Sequence, residues 1–262
     1  MKRLIAILPA IAVLLGGCNS SQSFAGNNTP PPPPPPTTAD QDLGGAWIGT
    51  DNNGDPLNVL STDDGRFNMV VLTNGEQGAG AGTVTGTDLS ISYTVAAPLG
   101  SALFDGSESA FCIGTGTIQE RQSLSINVDC TTSLGGVYNA TADLAYDSIY
   151  DRDSSLATVA GSFVTTTGVV YTIAGDGGLF AQDPNSGCVI NGQVSTIDAA
   201  YNLYNVNWTY ANCQAPSDNF NGSIFNGFAM LNDGATPEQI VFFVTGSIGG
   251  VPVSQAFSLD RT

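Results

Sequence analysis

The chain contains no histidine, and only 6 of its 262 residues are Lys or Arg. Without an imidazole there can be no Ser-His-Asp triad, no Cys-His dyad and no His-ligated metal. A formal charge of −17 leaves little to neutralise phosphates, which argues against nucleic acid as a partner. Glutamate is scarce as well: Glu76, Glu108, Glu120 and Glu238 all lie in or beside polar, turn-like segments. No set of residues meets the geometric roles of a catalytic site, so neither catalysis nor a cofactor is expected. No apolar run reaches the ~20 residues of a membrane-spanning helix. Yet 42% of residues are hydrophobic and only 11% charged, a balance that builds a core rather than a disordered chain.

The first segment present is a leader. Lys2 and Arg3 precede an apolar stretch, Leu4 to Leu15, that ends in Leu15-Gly16-Gly17-Cys18. A short basic start, an apolar run and small residues mark a processing signal rather than a structural element. An aliphatic residue, two small ones and a cysteine resemble the lipobox of bacterial lipoproteins. That resemblance implies cleavage after Gly17 and acylation of Cys18, which would be the sole attachment to a membrane. Asn19 follows the cysteine; an aspartate there would resemble an inner-membrane retention signal, so the outer membrane is the expected address. Cys18 to Asp42 is of low complexity and contains seven consecutive prolines, Pro30 to Pro36. Such a run forms polyproline II at ~3.1 Å per residue, a semi-rigid stalk roughly 20 Å long.

From Leu43 onward the chain reads as β structure. Nine Asn-Gly or Asp-Gly dipeptides, among them Asp64-Gly65 and Asp176-Gly177, supply the positive φ of tight hairpin turns. Between them lie short runs rich in β-branched and aromatic residues. The expected strands are 45–50, 56–61, 66–73, 81–86, 88–95, 109–118, 123–130 and 136–146. A second set is 160–166, 169–174, 178–182, 187–195, 203–212, 221–231, 239–246 and 251–259.

The two sets match in order. Gly45-Ala46-Trp47 corresponds to Gly161-Ser162-Phe163, and Asp63-Asp64-Gly65-Arg66-Phe67 to Gly175-Asp176-Gly177-Gly178-Leu179-Phe180. Each half carries one cysteine pair, and Tyr150-Asp151-Arg152 and Leu259-Asp260-Arg261 close them. The expected fold is therefore all-β: two tandem eight-stranded antiparallel units, residues 43–152 and 160–262, joined by a linker at 153–159. Barrels are preferred to sandwiches, because closure hides sheet edges. One continuous two-sheet structure is the alternative. An aromatic in a G-x-W context on the first strand, with an arginine after the last, resembles the calycin barrels, the lipocalins and avidin-like proteins. The resemblance implies that Trp47 with Arg152, and Phe163 with Arg261, close one end of each barrel by stacking a guanidinium on a ring. The lipocalin T-D-Y element is absent.

With Cys18 acylated, Cys112, Cys130, Cys188 and Cys213 remain, and three pairings are open. Local pairing is the simplest in an oxidising compartment. Folding 112–130 about Arg121 sets Cys112 against Cys130, Gly114 against Val128, Gly116 against Ile126 and Ile118 against Leu124. In the second hairpin Cys213 has the wrong parity for the apolar face of Val206, Trp208 and Tyr210, so a bulge near Ala211-Asn212 is needed. The loop Asp51-Asn52-Asn53-Gly54-Asp55 lacks the glycine and glutamate of an EF-hand, and Gly78-Ala79-Gly80-Ala81-Gly82 precedes no helix and is no phosphate loop. Tyr204, Trp208 and Tyr210 are the richest aromatic cluster for contact with a ligand such as a glycan, although core packing is the commoner fate of such a stripe.

The sequence thus points first to a lipid-anchored envelope protein with a non-catalytic binding or structural role. A calycin-like carrier of a small apolar ligand comes next, and an enzyme acting on envelope glycans last. The partner, whether protein, glycan or small apolar ligand, is not identified by the sequence. The carrier and the structural role differ in whether the barrel interiors are hollow or packed.

Overall fold

Strand side chains alternate between two faces, and within each half of this chain consecutive strands pair antiparallel. The computed structural model describes residues 39–262. Gly17, Cys18 and the proline run therefore lie outside the described residues. The first eight strands are β1 (Gly45–Asp51), β2 (Pro56–Ser61), β3 (Arg66–Val71), β4 (Gln77–Thr85), β5 (Asp88–Ala96), β6 (Ser109–Gln119), β7 (Ser123–Thr132) and β8 (Val137–Asp147). The second eight are β9 (Gly161–Val164), β10 (Val170–Ile173), β11 (Gly178–Gln182), β12 (Val189–Thr196), β13 (Tyr204–Ala211), β14 (Ile224–Asn232), β15 (Gln239–Ile248) and β16 (Val251–Arg261). Each set closes on itself, β1 pairing with β8 and β9 with β16, to give two eight-stranded antiparallel barrels in tandem.

Equivalent turns are built alike in the two halves. Gly65, between β2 and β3, has φ +87° and its carbonyl accepts the Gly82 N–H at 2.8 Å. Gly177, between β10 and β11, has φ +85° and accepts the Val194 N–H at 2.8 Å. In both places a Cβ would collide with the backbone oxygen of the same residue that donates, so the glycine is set by contact as well as by φ.

The main departure from the expected strands is β4, which begins at Gln77 and runs through the glycine-rich stretch. Glycine is a poor strand former in isolation. Here it is required by packing: a Cβ on Gly80 would lie 2.4 Å from the Tyr93 Cβ and 2.2 Å from the Ser92 carbonyl oxygen. The glycines let the aromatic ring of the neighbouring strand cross close to the backbone.

Both disulfides form, Cys112 with Cys130 and Cys188 with Cys213. The first sits in the expected register, with Gly114 opposite Val128, Gly116 opposite Ile126 and Ile118 opposite Leu124. In the second, the parity conflict is resolved just beyond the end of β13, not by a bulge within the ladder. Asn212 takes φ +58°, a left-handed conformation that its short polar side chain tolerates, and this turns Cys213 toward Cys188.

Two expected boundaries shift. Residues 40–42, assigned to the stalk, are bound to the first barrel: the Gly86 N–H donates to Asp40 at 2.7 Å and the Glu120 N–H to the Gln41 side chain at 2.7 Å. The segment 153–159, expected as a linker, contains a helical turn, α1 (Leu156–Val159). Ser155 caps it through the Thr158 N–H at 3.1 Å, and Val159 is fully buried. Each barrel has its own core, and a third apolar cluster lies between them. There Leu60 and Val70 of the first barrel meet Leu203, Phe228 and Phe243 of the second. Polar groups are satisfied across this seam: Asn68 donates to the Phe243 carbonyl at 3.3 Å and Ser254 to the Ala96 carbonyl at 3.1 Å.

Gly80→Val should lower the stability of the first barrel by about 1–3 kcal/mol, the usual cost of overpacking. Urea unfolding checks this; an unchanged midpoint would mean that the strand tolerates a side chain there.

Candidate functional site

The ends of the barrels are defined by what seals them. In the first, Trp47 is fully buried near the start of β1, and its indole N–H donates to the Leu43 carbonyl at 3.2 Å and the Ser61 hydroxyl at 3.0 Å. The lead-in residues 40–43 cross this end and close it, Leu43 itself being buried. In the second barrel the equivalent ring, Phe163, is also fully buried, and the Arg261 guanidinium lies over it, 4.7 Å from the ring centroid. Arg261 is held by the carbonyls of Ala160 at 2.8 Å and Thr158 at 2.7 Å and by Glu238 at 2.7 Å.

The corresponding pairing of Trp47 with Arg152 is not made. Arg152 forms an ion pair with Asp233 of the second barrel. The reason is register. Arg261 is the last residue of β16 and stands opposite Phe163, whereas Arg152 lies beyond a 3-10 turn at Ser148–Asp151, past the end of β8. The residue opposite Trp47 is Tyr146, whose ring meets the indole edge-on at 5.4 Å. Tyr146 in turn takes a bond from Arg121 at 3.4 Å and donates to Asp151 at 2.7 Å. Strand parity carried to the partner strand would have found Tyr146; counting along the chain did not.

The interiors differ. In the second barrel the expected ligand-contact residues Tyr204, Trp208 and Tyr210 are buried core. Trp208 packs on Phe225, Phe242 and Phe257 with centroids 5.9–6.2 Å apart. Tyr171 closes in on Phe257 at 5.7 Å. These rings pack the bore of that barrel and are not displayed to solvent. In the first barrel the inward positions hold Gly78, Gly80, Gly82, Gly114, Gly116, Ala140 and Ala142 among larger aliphatics. A cavity of about 440 Å³ remains, lined through its depth by side chains such as Leu57, Leu89, Ile126 and Leu144 and floored by Trp47. This is within the range of small-ligand pockets.

The opposite end of this barrel is its mouth, formed by the β1–β2, β3–β4, β5–β6 and β7–β8 connections. Asp51, Asp55 and Glu76 line it, together with the rings of Phe104 and Tyr138, which meet edge-on at 5.6 Å. Asp51 organises its turn, accepting the N–H groups of Asn53 at 2.8 Å and Asp55 at 2.9 Å, as a turn and not a calcium loop does. Burial pushes the Tyr93 phenol up, with the Tyr138 ring adding to it, and burial together with Glu76 pushes Tyr138 up to about 12. Among the described residues no three His, Cys, Asp or Glu side chains are grouped to hold a metal.

The contrast between the two arginines gives a prediction. Arg261→Ala should destabilise by about 1–2 kcal/mol, since it removes a ring contact and leaves two carbonyls without donors. Arg152→Ala, whose partner is half exposed, should cost less than about 0.5 kcal/mol. Chemical denaturation of the two variants checks the difference; equal costs would show that Arg261 is no cap. No protein-family model and no curated protein matches the chain.

Proposed function

We propose that the protein is an envelope lipoprotein that carries a small apolar ligand in its first barrel, without catalysing a reaction. The lipobox-like Leu15-Gly16-Gly17-Cys18, the residue Asn19 after it and the proline-rich stalk support anchorage by lipid on Cys18 in the outer membrane. Stable anchorage needs more than one acyl chain, and the lipoprotein modification supplies three. The observation that carries the binding role is the cavity of about 440 Å³ inside the first barrel, apolar in its depth and polar at its mouth. A ligand of roughly ten to fifteen carbon atoms would replace empty volume by contact and gain ~0.8 kcal/mol per buried CH₂. The ring-filled second barrel serves as a structural partner, held to the first by the apolar seam. The capped ends and the hollow first bore favour a calycin-like carrier over a purely structural protein.

The full-length chain carrying Cys18→Ser should be soluble and should lose the palmitate label that the wild type incorporates. In that soluble form, the neutral probe N-phenyl-1-naphthylamine should bind saturably at one site per chain with enhanced fluorescence. Ala142→Phe, which places a ring in the cavity, should weaken binding at least tenfold with little change in the unfolding midpoint. Failure of the probe to bind, or binding indifferent to Ala142→Phe, would contradict the carrier role. Retention of the Cys18→Ser protein in salt-washed membranes would contradict the anchor.

A further inference from the structure

We propose that the ligand is a cationic amphiphile, with its chain in the cavity of the first barrel and its ammonium head among Glu76, Asp55 and the rings of Phe104 and Tyr138. This rests on the carrier reading and specifies the ligand class. Among the described residues the mouth is lined by carboxylates and by no Lys or Arg. The basic residues among those described are Arg66, Arg121, Arg152 and Arg261, and each is paired away from the mouth, with Asp64, Asp151, Asp233 and Glu238 respectively. Glu76 immediately precedes β4 on the inward parity shared with Gly78, and it is partly buried in the cavity lining. Burial raises its carboxyl above the usual range, a hydrogen bond with Asn74 opposes this, and the negative charge of Asp55 adds to it. A carboxylate in that setting is stabilised by an opposite charge arriving from solution.

Deeper in the same opening lies a second observation. The Tyr93 side chain is only 6% exposed and points inward, between Gly80 and Cys112 of the flanking strands. Its hydroxyl has no hydrogen-bond partner among the described residues, and the Tyr138 hydroxyl has only the Cys112 sulfur, at 3.9 Å. Both hydroxyls line the cavity, where they are free to bond a polar group that enters it. The rings of Phe104, Tyr93 and Tyr138 line the same opening, and an ammonium is attracted to the face of such rings. An anionic head would meet Asp51, Asp55 and Glu76 and be repelled. A neutral alcohol would satisfy a tyrosine but leave the carboxylates uncompensated.

Competition against N-phenyl-1-naphthylamine on the full-length Cys18→Ser chain tests this with three ligands of equal chain length. Decyltrimethylammonium should displace the probe at least tenfold more tightly than decanol, and decanoate should be the weakest. Glu76→Gln should cut the ratio of ammonium to decanol affinity about tenfold. If decanol displaces the probe as well as or better than the ammonium does, the cationic head is refuted while the carrier role stands. If the probe binds but Glu76→Gln leaves the ratio unchanged, the assignment of the head to this mouth is refuted. If the probe itself does not bind, the carrier role fails and this inference fails with it.

Discussion

Closing eight strands on themselves fixes the bore of the sheet, and everything inside must then fit that bore. The backbone makes two such closures in this chain, with the same strand number, the same direction and equivalent glycine turns. What differs is the volume of the inward side chains. Phe163, Tyr171, Trp208, Phe225, Phe242 and Phe257 pack the second bore to the close contact expected of an interior. Glycine and alanine on β4, β6 and β8 leave the first one hollow. One architecture repeated in tandem therefore yields a packed body and a container.

The two barrels are not beads on a string. Side chains that point outward from one barrel wall, Leu60 and Val70, are buried against outward residues of the other, Phe228 and Phe243. The connection between them is ordered through Val159, and Asn202 bridges the Ile149 carbonyl at 3.2 Å and the Leu231 carbonyl at 2.7 Å. Arg152 contributes here, tying the end of the first unit to Asp233 of the second. Such a seam holds the container in fixed orientation to its packed neighbour and leaves the acidic mouth of the first barrel, made by its own loops, free of the interface cluster.

Much of this was legible in the sequence, because turn chemistry and period-two alternation are local. The strands, the tandem repeat and the register of Cys112 with Cys130 follow from Asn-Gly and Asp-Gly spacing and from parity. The start of β4 was misplaced, because glycine propensity outweighed the need for Gly80 to pass under Tyr93. The Arg152 assignment failed because a 3-10 turn follows β8 but nothing intervenes before Arg261. Tyr204, Trp208 and Tyr210 read as a stripe for either ligand contact or core packing, and only closure of the barrel places them on its inner wall. The cavity could not be read at all: it is a sum of side-chain volumes around eight strands, and no single segment carries it. Glu76 and Phe104 acquire meaning only when four separate loops meet at one mouth.

The chain has two tryptophans, and the fold places one in each bore: Trp47 at the floor of the hollow barrel and Trp208 within the packed one. Each reports on its own interior in a single-tryptophan variant, Trp208→Phe or Trp47→Phe. Titration with a bromine-terminated decanol, whose heavy atom quenches indole fluorescence on contact, measures directly which bore admits a ligand. The account predicts saturable quenching of Trp47 at one ligand per chain and no quenching of Trp208 over the same range. Quenching of Trp208, or a Trp47 that stays bright at saturating ligand, would contradict it.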